Sequence, residues 1–189
     1  MNMEYQTREY PLFSACGLNC GLCPRYHTGG RSKCPGCAGE GFSDKHPPCG
    51  VLSCCQRKGV EYCFMCDEYP CGKYMDADLY DSFITHKNQF HDFEKAKRRG
   101  VDVYKAELNR KLRALGQLLE NYDDGRRKSF FCLAVNLLDL PNIEIVMEQL
   151  SGETNTESPL KSKAMTAVRL FEELSLKRGV SLRLRKKQS

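Results

Sequence analysis

No segment of this 189-residue chain approaches the length of apolar run that spans a bilayer. Residues Met1 to Pro11 lack a basic stretch leading into an apolar one, so no export leader is expected. A chain read this way sits in a reducing, cytoplasmic compartment, where stable disulfides are rare. Several catalytic signatures are missing as well: there is no glycine-rich nucleotide loop of the right spacing, no HExxH and no GxSxG. The first 71 residues are poor in Leu, Ile and Val and rich in Gly, Pro and Cys. Such a stretch cannot bury enough surface to hold itself together, so metals or disulfides must replace the missing core.

What the chain does have is thiols. Of its 12 cysteines, all but Cys132 lie between Cys16 and Cys71. The run is Cys16-x3-Cys20-x2-Cys23, then Cys34-x2-Cys37, Cys49, the adjacent Cys54 and Cys55, and Cys63-x2-Cys66-x4-Cys71. Two thiols separated by two residues can reach one ion across a tight turn. An odd number of clustered cysteines cannot all pair as disulfides, and the spacing favours metal. Glycines between the thiols leave room for backbone N–H groups to turn toward sulfur.

From Asp76 onward the texture is helical. Asp76 to Arg99 reads as one or two helical pieces anchored by Tyr80, Phe83, Phe90 and Phe93. Beyond Gly100, Asp102 is placed to cap a helix whose stripe is Tyr104, Leu108, Leu112, Leu115 and Leu119. Phe130 to Leu138 is a dense apolar helix that stops before Pro141, and residues 142–150 suit a further short one. Leu160 to Leu174 marks the last helix, ended by Gly179. Val180, Leu182 and Leu184 then alternate with Ser181, Arg183 and Arg185, which is a strand signal. The expected architecture is α+β and mostly α. A cysteine-rich, metal-stabilised module at 12–72 packs on a helical body at 73–189 with a short terminal β-strand. No internal repeat is evident.

The formal net charge is +5, with the excess beyond Cys71. The tail carries Lys177, Arg178, Arg183, Arg185, Lys186 and Lys187 with no acid among them. Paired thiols and basic charge together raise a nucleic-acid reading. Against it, Cys2His2 spacing is absent, and no basic, aromatic-interleaved helix follows the thiol pairs. An unidentified protein partner fits better. The YDDG segment at 122–125 reads as a solvated turn in which Asp123 or Asp124 caps the next helix. Cys132, within Phe-Phe-Cys-Leu-Ala, reads as a buried apolar thiol.

The segments CGLNCGLCPRYHTGG, CPGC, CGVLSC and KGVEYCFMCDEYPC, with the later YDDGRRKSFFCLAVNLLDL, together resemble the DUF3795 family across roughly 12–140. These are cysteine-rich prokaryotic proteins of unknown function to which metal binding is ascribed. The resemblance implies a cytosolic bacterial or archaeal protein and brings no substrate. The motifs contain Cys16, Cys20, Cys23, Cys34, Cys37, Cys49, Cys54, Cys63, Cys66 and Cys71, and these ten are the expected metal ligands. Cys55 looks like an addition. Ten thiols with His27 and His46 suffice for two tetrahedral zinc sites with a remainder, and two structural zinc ions are the expectation. Which pair meets which is left open. The alternative is an iron–sulfur cluster, because Cys16-x3-Cys20-x2-Cys23 matches the spacing used by radical S-adenosylmethionine enzymes. The alternating strands and helices of such an enzyme are absent. His86 and His91 read as surface or core residues.

Overall fold

The computed structural model describes residues 5–75, 77, 79–155 and 157–187. Seven α-helices occur among them: α1 (Phe42–Lys45), α2 (Gly50–Lys58), α3 (Gln89–Arg99), α4 (Val101–Asn121), α5 (Lys128–Leu137), α6 (Leu140–Glu153) and α7 (Leu160–Lys177). Short 3-10 turns at Cys20–Leu22 and Cys63–Met65 start at thiols. The described residues contain no β-strand, which corrects the α+β expectation. The chain divides into two units. One comprises the described residues up to Lys105 with those from Leu184 onward, and the other is Ala106–Arg183.

The first unit is held largely by rings, with Leu22, Leu52 and Ile84 as its buried large aliphatic side chains among the described residues. Phe13 lies 4.6 Å from the Tyr104 ring, 5.0 Å from Tyr62 and 5.7 Å from Phe93, centroid to centroid. Phe93 also meets Phe64 at 5.0 Å and Tyr69 at 5.6 Å. Phe13, Tyr62 and Phe93 are fully buried. Tilted and edge-on pairs of this kind add to the burial of large side chains. A polar network ties the same elements together. The Asn19 side-chain amide donates to Asp92 at 2.8 Å, and its Oδ1 accepts from the Tyr104 hydroxyl at 2.9 Å. The Gln89 amide reaches the Cys16 carbonyl at 2.6 Å. Thus α3 and the start of α4 form a platform beneath the Cys16–Cys23 loop. Gly17 closes on that platform with φ of +93°, and a Cβ there would come within 3.0 Å of both the Gln89 carbonyl and the Phe93 ring.

The helix expected from Asp76 begins only at Gln89, and Asp76 itself lies outside the described residues. The segment before α3 is instead shaped by Asp81, whose side chain is fully buried. Its carboxylate accepts from the His86 N–H at 2.8 Å and the Arg185 N–H at 2.7 Å. The Arg185 guanidinium adds bonds at 2.9 and 3.2 Å, and the Asp81 N–H donates to the Arg185 carbonyl at 3.0 Å. This clasp explains why the expected terminal strand is absent. The backbone at Arg185 pairs with a side chain and a single loop N–H, so no ladder of repeated backbone bonds forms. Asp102, expected as a cap, lies inside α4.

Burial pushes the Asp81 carboxyl up, but the Arg185 guanidinium and the two N–H donors outweigh it and hold it below its usual value of 3.8. A lowered carboxyl stabilises the fold above its unfolded pKa, and that contribution is lost as pH falls through the folded one. Arg185→Ala leaves a buried carboxylate without its cation and is expected to cost about 3 kcal/mol. Urea denaturation should show this loss, together with a weaker dependence on pH below 4 than the parent, roughly the range in which a carboxyl titrates. Lys186→Ala, at an exposed neighbour, should change stability by less than about 0.5 kcal/mol.

The second unit is a helical core. On α4 the buried stripe within this unit is Leu108, Ala114, Leu115 and Leu118. Leu112 and Leu119 lie at its margin, so the stripe is rotated from the expected one. From α5 to α7 the core takes Phe131, Val135, Ile143, Val146, Leu150, Ala164, Ala167 and Phe171, with α6 packed against α7. Cys132 is buried among them, as its apolar neighbours suggest. Asp123 accepts from the Gly125 and Arg127 N–H groups at 3.0 and 2.8 Å, turning the chain into α5. Two of the tail's basic groups are engaged within their own units: Arg178 donates to Asn142 at 2.9 Å, and the Lys187 ammonium sits 5.5 Å from the Tyr80 ring centroid. No described helix is long and apolar enough to cross a membrane.

Candidate metal centre

The clustered thiols fall into two sets. Cys16, Cys20, Cys23, Cys34, Cys37 and Cys49 line one cavity of about 390 Å³. Cys54, Cys55, Cys63, Cys66 and Cys71 line another of about 30 Å³. All ten expected ligands therefore border one of two spaces, in the order in which they occur along the chain. Among the described residues, no three His, Cys, Asp or Glu side chains stand close enough to hold one ion as placed. The twelve cysteines are free thiols, with none in a disulfide.

Local sequence explains how each thiol is presented. Cys20-Gly-Leu-Cys23 and Cys63-Phe-Met-Cys66 fold alike. In each, the second cysteine's N–H donates to the first one's carbonyl, at 3.1 Å in both, and a tyrosine N–H three residues later donates to the second cysteine's carbonyl at 3.0 Å. The pattern C-x2-C-x2-Y thus occurs twice, at 20–26 and 63–69. It is a short local repeat, too small to register as an internal repeat of the chain. Pro35-Gly36 makes the third turn: Gly36 has φ of +87°, and a Cβ there would lie 2.6 Å from the Pro11 carbonyl oxygen. Cys49 precedes α2, and its sulfur accepts from the Leu52 N–H at 3.5 Å, at the positive end of the helix.

The sulfurs are surrounded by donors. The Cys16 sulfur is bonded to the Ser14 hydroxyl at 3.0 Å, and that hydroxyl oxygen in turn accepts from the Leu18 N–H at 2.8 Å. At Cys23 the N–H groups of Arg25 and Tyr26 and the Arg25 charge counter the burial that raises the thiol. Around the same sulfurs, the Arg8 guanidinium donates to the Phe13 carbonyl at 2.8 Å and the Tyr74 hydroxyl to the Cys16 carbonyl at 3.4 Å, fixing the backbone that carries Cys16. In the smaller set, the Lys58 ammonium is 3.3 Å from the Cys66 sulfur and the Arg57 guanidinium 3.9 Å from that of Cys54. Such donors stabilise thiolate and orient it, which is what a metal-binding sulfur requires. The donor set therefore fits a metal held by thiolates.

Electrostatics decide how readily these thiols ionise. Burial pushes the Cys16 thiol up to about 12, and the neighbouring Cys37 and Cys49 push in the same direction. Cys20 is driven well above 9.0, first by burial and then by Cys37, Cys16, Cys23 and Cys34. Burial likewise raises Cys23, Cys37 and Cys63. Without a cation these thiols hold their protons, and a bound cation is what would let them ionise together.

The other expected residues separate clearly. His46 lines the larger cavity, with its Nδ1 2.7 Å from the Pro47 carbonyl. His86, expected as a surface or core residue, is half-buried and also lines it. His27 lies 2.7 Å from the Gly21 carbonyl and borders neither space. Cys55 is buried with its sulfur 4.0 Å from the Ala15 carbonyl, on the lining of the smaller space. Arg8, Ser14, Asn19 and Tyr74 were not legible as site residues. Only the tertiary fold brings them to sulfur or locks the loop that carries it. Ala15 links the sets: its N–H serves Cys37, and its carbonyl accepts from the Cys63 N–H at 2.9 Å.

Residues 12–76 match the family described as Protein of unknown function (DUF3795). The match ends there, short of the span to residue 140 suggested by the sequence, so the YDDG–Leu140 segment lies outside it. No curated protein and no solved structure matches the chain.

Proposed function

We propose that the cysteine-rich region binds metal at two thiolate centres and that at least one of them is structural. The observation that supports this best is the set of N–H, O–H and cationic donors aimed at sulfurs that border two separate spaces. The smaller centre uses Cys54, Cys63, Cys66 and Cys71 for one tetrahedral zinc, with Lys58 and Arg57 offsetting the charge of the four thiolates. The larger centre draws its ligands from Cys16, Cys20, Cys23, Cys34, Cys37 and Cys49. The biological role of the module is to present a rigid surface to a protein partner, with metal in place of an aliphatic core.

A second reading applies to the larger centre. Its cavity of about 390 Å³ leaves space beyond a single ion, and the Cys16, Cys20, Cys23 triplet lies on its wall. An iron–sulfur cluster suits such a set, three thiols leaving one iron for an outside ligand. Elemental analysis of protein purified anaerobically without added metal decides between them. Two zinc per chain is the expected result. One zinc with several irons and acid-labile sulfide establishes the second reading. A folded chain with no metal overturns both. Cys66→Ser should remove about one ion and leave the larger centre loaded.

A further inference from the structure

The two thiol sets differ most in the room they enclose. Around Cys54, Cys63, Cys66 and Cys71 the free space is about 30 Å³, enough for an ion and little more. Around Cys16 to Cys49 it is about 390 Å³, within the range of small-molecule sites. Structural metal sites are closed, whereas sites that exchange ligands keep an open side. The rest of the larger lining has a consistent chemistry. Leu18, Phe42, Pro47, Phe83 and Ile84 give it apolar walls, and no Asp or Glu borders it.

Two cations face this space without a carboxylate partner. Among the described residues, neither Arg25 nor Lys45 forms an ion pair. Both are half-buried, and the Arg25 guanidinium stacks 4.8 Å from the Phe83 ring centroid. Phe83 itself is 65% exposed, a large apolar ring left open at the mouth. Charge compensation of the thiolates does not fully account for this arrangement. At the smaller set the cations contact sulfur directly, whereas Lys45 has no bond to a sulfur and Arg25 spends its flat face on an aromatic ring.

We propose that the larger cavity admits a small organic carboxylate beside its thiols. Arg25 and Lys45 take the negative charge, and Phe83, Phe42 and Ile84 take the apolar body. This deepens the reading of the larger centre as a metal site with an open side, but the recognising residues belong to the chain itself.

The test uses the full chain as purified and 4-fluorobenzoate as the probe, followed by fluorine NMR line width. Saturable binding is expected, with the neutral 4-fluorobenzamide about tenfold weaker, the loss that follows from removing a charge-assisted bond. Arg25→Gln and Lys45→Gln should each weaken benzoate by at least about threefold, with helix content and metal content unchanged. Lys161→Gln, on an exposed face of α7, should bind as the parent does. Equal binding of acid and amide, unchanged binding in both variants, or no saturation overturns the proposal. Metal content measured on the same samples separates the two claims. Metal without benzoate binding removes the carboxylate site alone. Charge-dependent benzoate binding to a metal-free chain removes the metal reading and keeps the carboxylate site.

Discussion

Stripping metal from the purified chain should unfold the region from Phe13 to Tyr74 while leaving Ala106–Arg183 helical. Structural zinc contributes on the order of 10–16 kcal/mol to small modules. A domain is stable by only about 5–15 kcal/mol in total, so the loss is decisive. The two units differ in what remains. The second keeps Leu115, Leu118, Phe131, Ile143, Val146 and Phe171 fully buried, a core that owes nothing to thiols. The first has short turns and two short helices around its thiols, and its rings cannot alone fix loops as irregular as 23–41. Circular dichroism after chelation should therefore lose only part of its helical signal. Hydrogen exchange should become fast at Cys20–Cys37 and Cys63–Cys71 and stay slow in α5–α7.

Phe93→Ala should be the most damaging single substitution outside the cysteines, at about 4 kcal/mol by urea denaturation. Phe93 is fully buried and touches the rings of Phe13, Phe64 and Tyr69, and the Gly17 backbone is moulded against it. The cavity left behind would lie directly beneath the Cys16–Cys23 loop, so metal affinity should fall along with stability. Phe90→Ala, at a half-buried ring on the same helix that meets Tyr74 at 5.4 Å, should cost less than half as much.

How much of this was legible in the sequence depended on the distance over which each signal acts. Short-range chemistry read well. The C-x2-C turns, the Asp123 turn, the helices from α4 to α7 and the burial of Cys132 are all set by neighbours within a few residues. Their positions emerged from spacing and periodicity. Long-range pairing did not. Arg185 and Asp81 are separated by most of the chain, so the alternation of Val180, Leu182 and Leu184 suggested a strand where a side-chain clasp forms instead. The helix expected from Asp76 failed for the same reason, because Asp81 is committed to that clasp and to the His86 N–H.

The candidate site shows the same division. The ten thiols were legible as candidate ligands, since chemistry and spacing both mark them, but their partition around two spaces required the fold. Asn19 sits inside the CGLNC motif, where nothing in the sequence singles it out. Its buried bonds to Asp92 and Tyr104 reveal it as the peg that holds the loop to α3 and α4. The deficit of Leu, Ile and Val correctly marked a region short of aliphatic core. It overlooked that Phe13, Tyr62, Phe64 and Tyr69 supply an aromatic one.

X-ray absorption at the metal edge of the anaerobically purified chain tests thiolate ligation most directly. The prediction is a first shell made of sulfur at about 2.3 Å, with about four sulfurs per zinc and no nitrogen or oxygen shell at the smaller centre. Iron at the larger centre, surrounded by sulfur, keeps thiolate ligation and selects the cluster. A shell dominated by nitrogen or oxygen, or a folded chain that carries no metal, contradicts it.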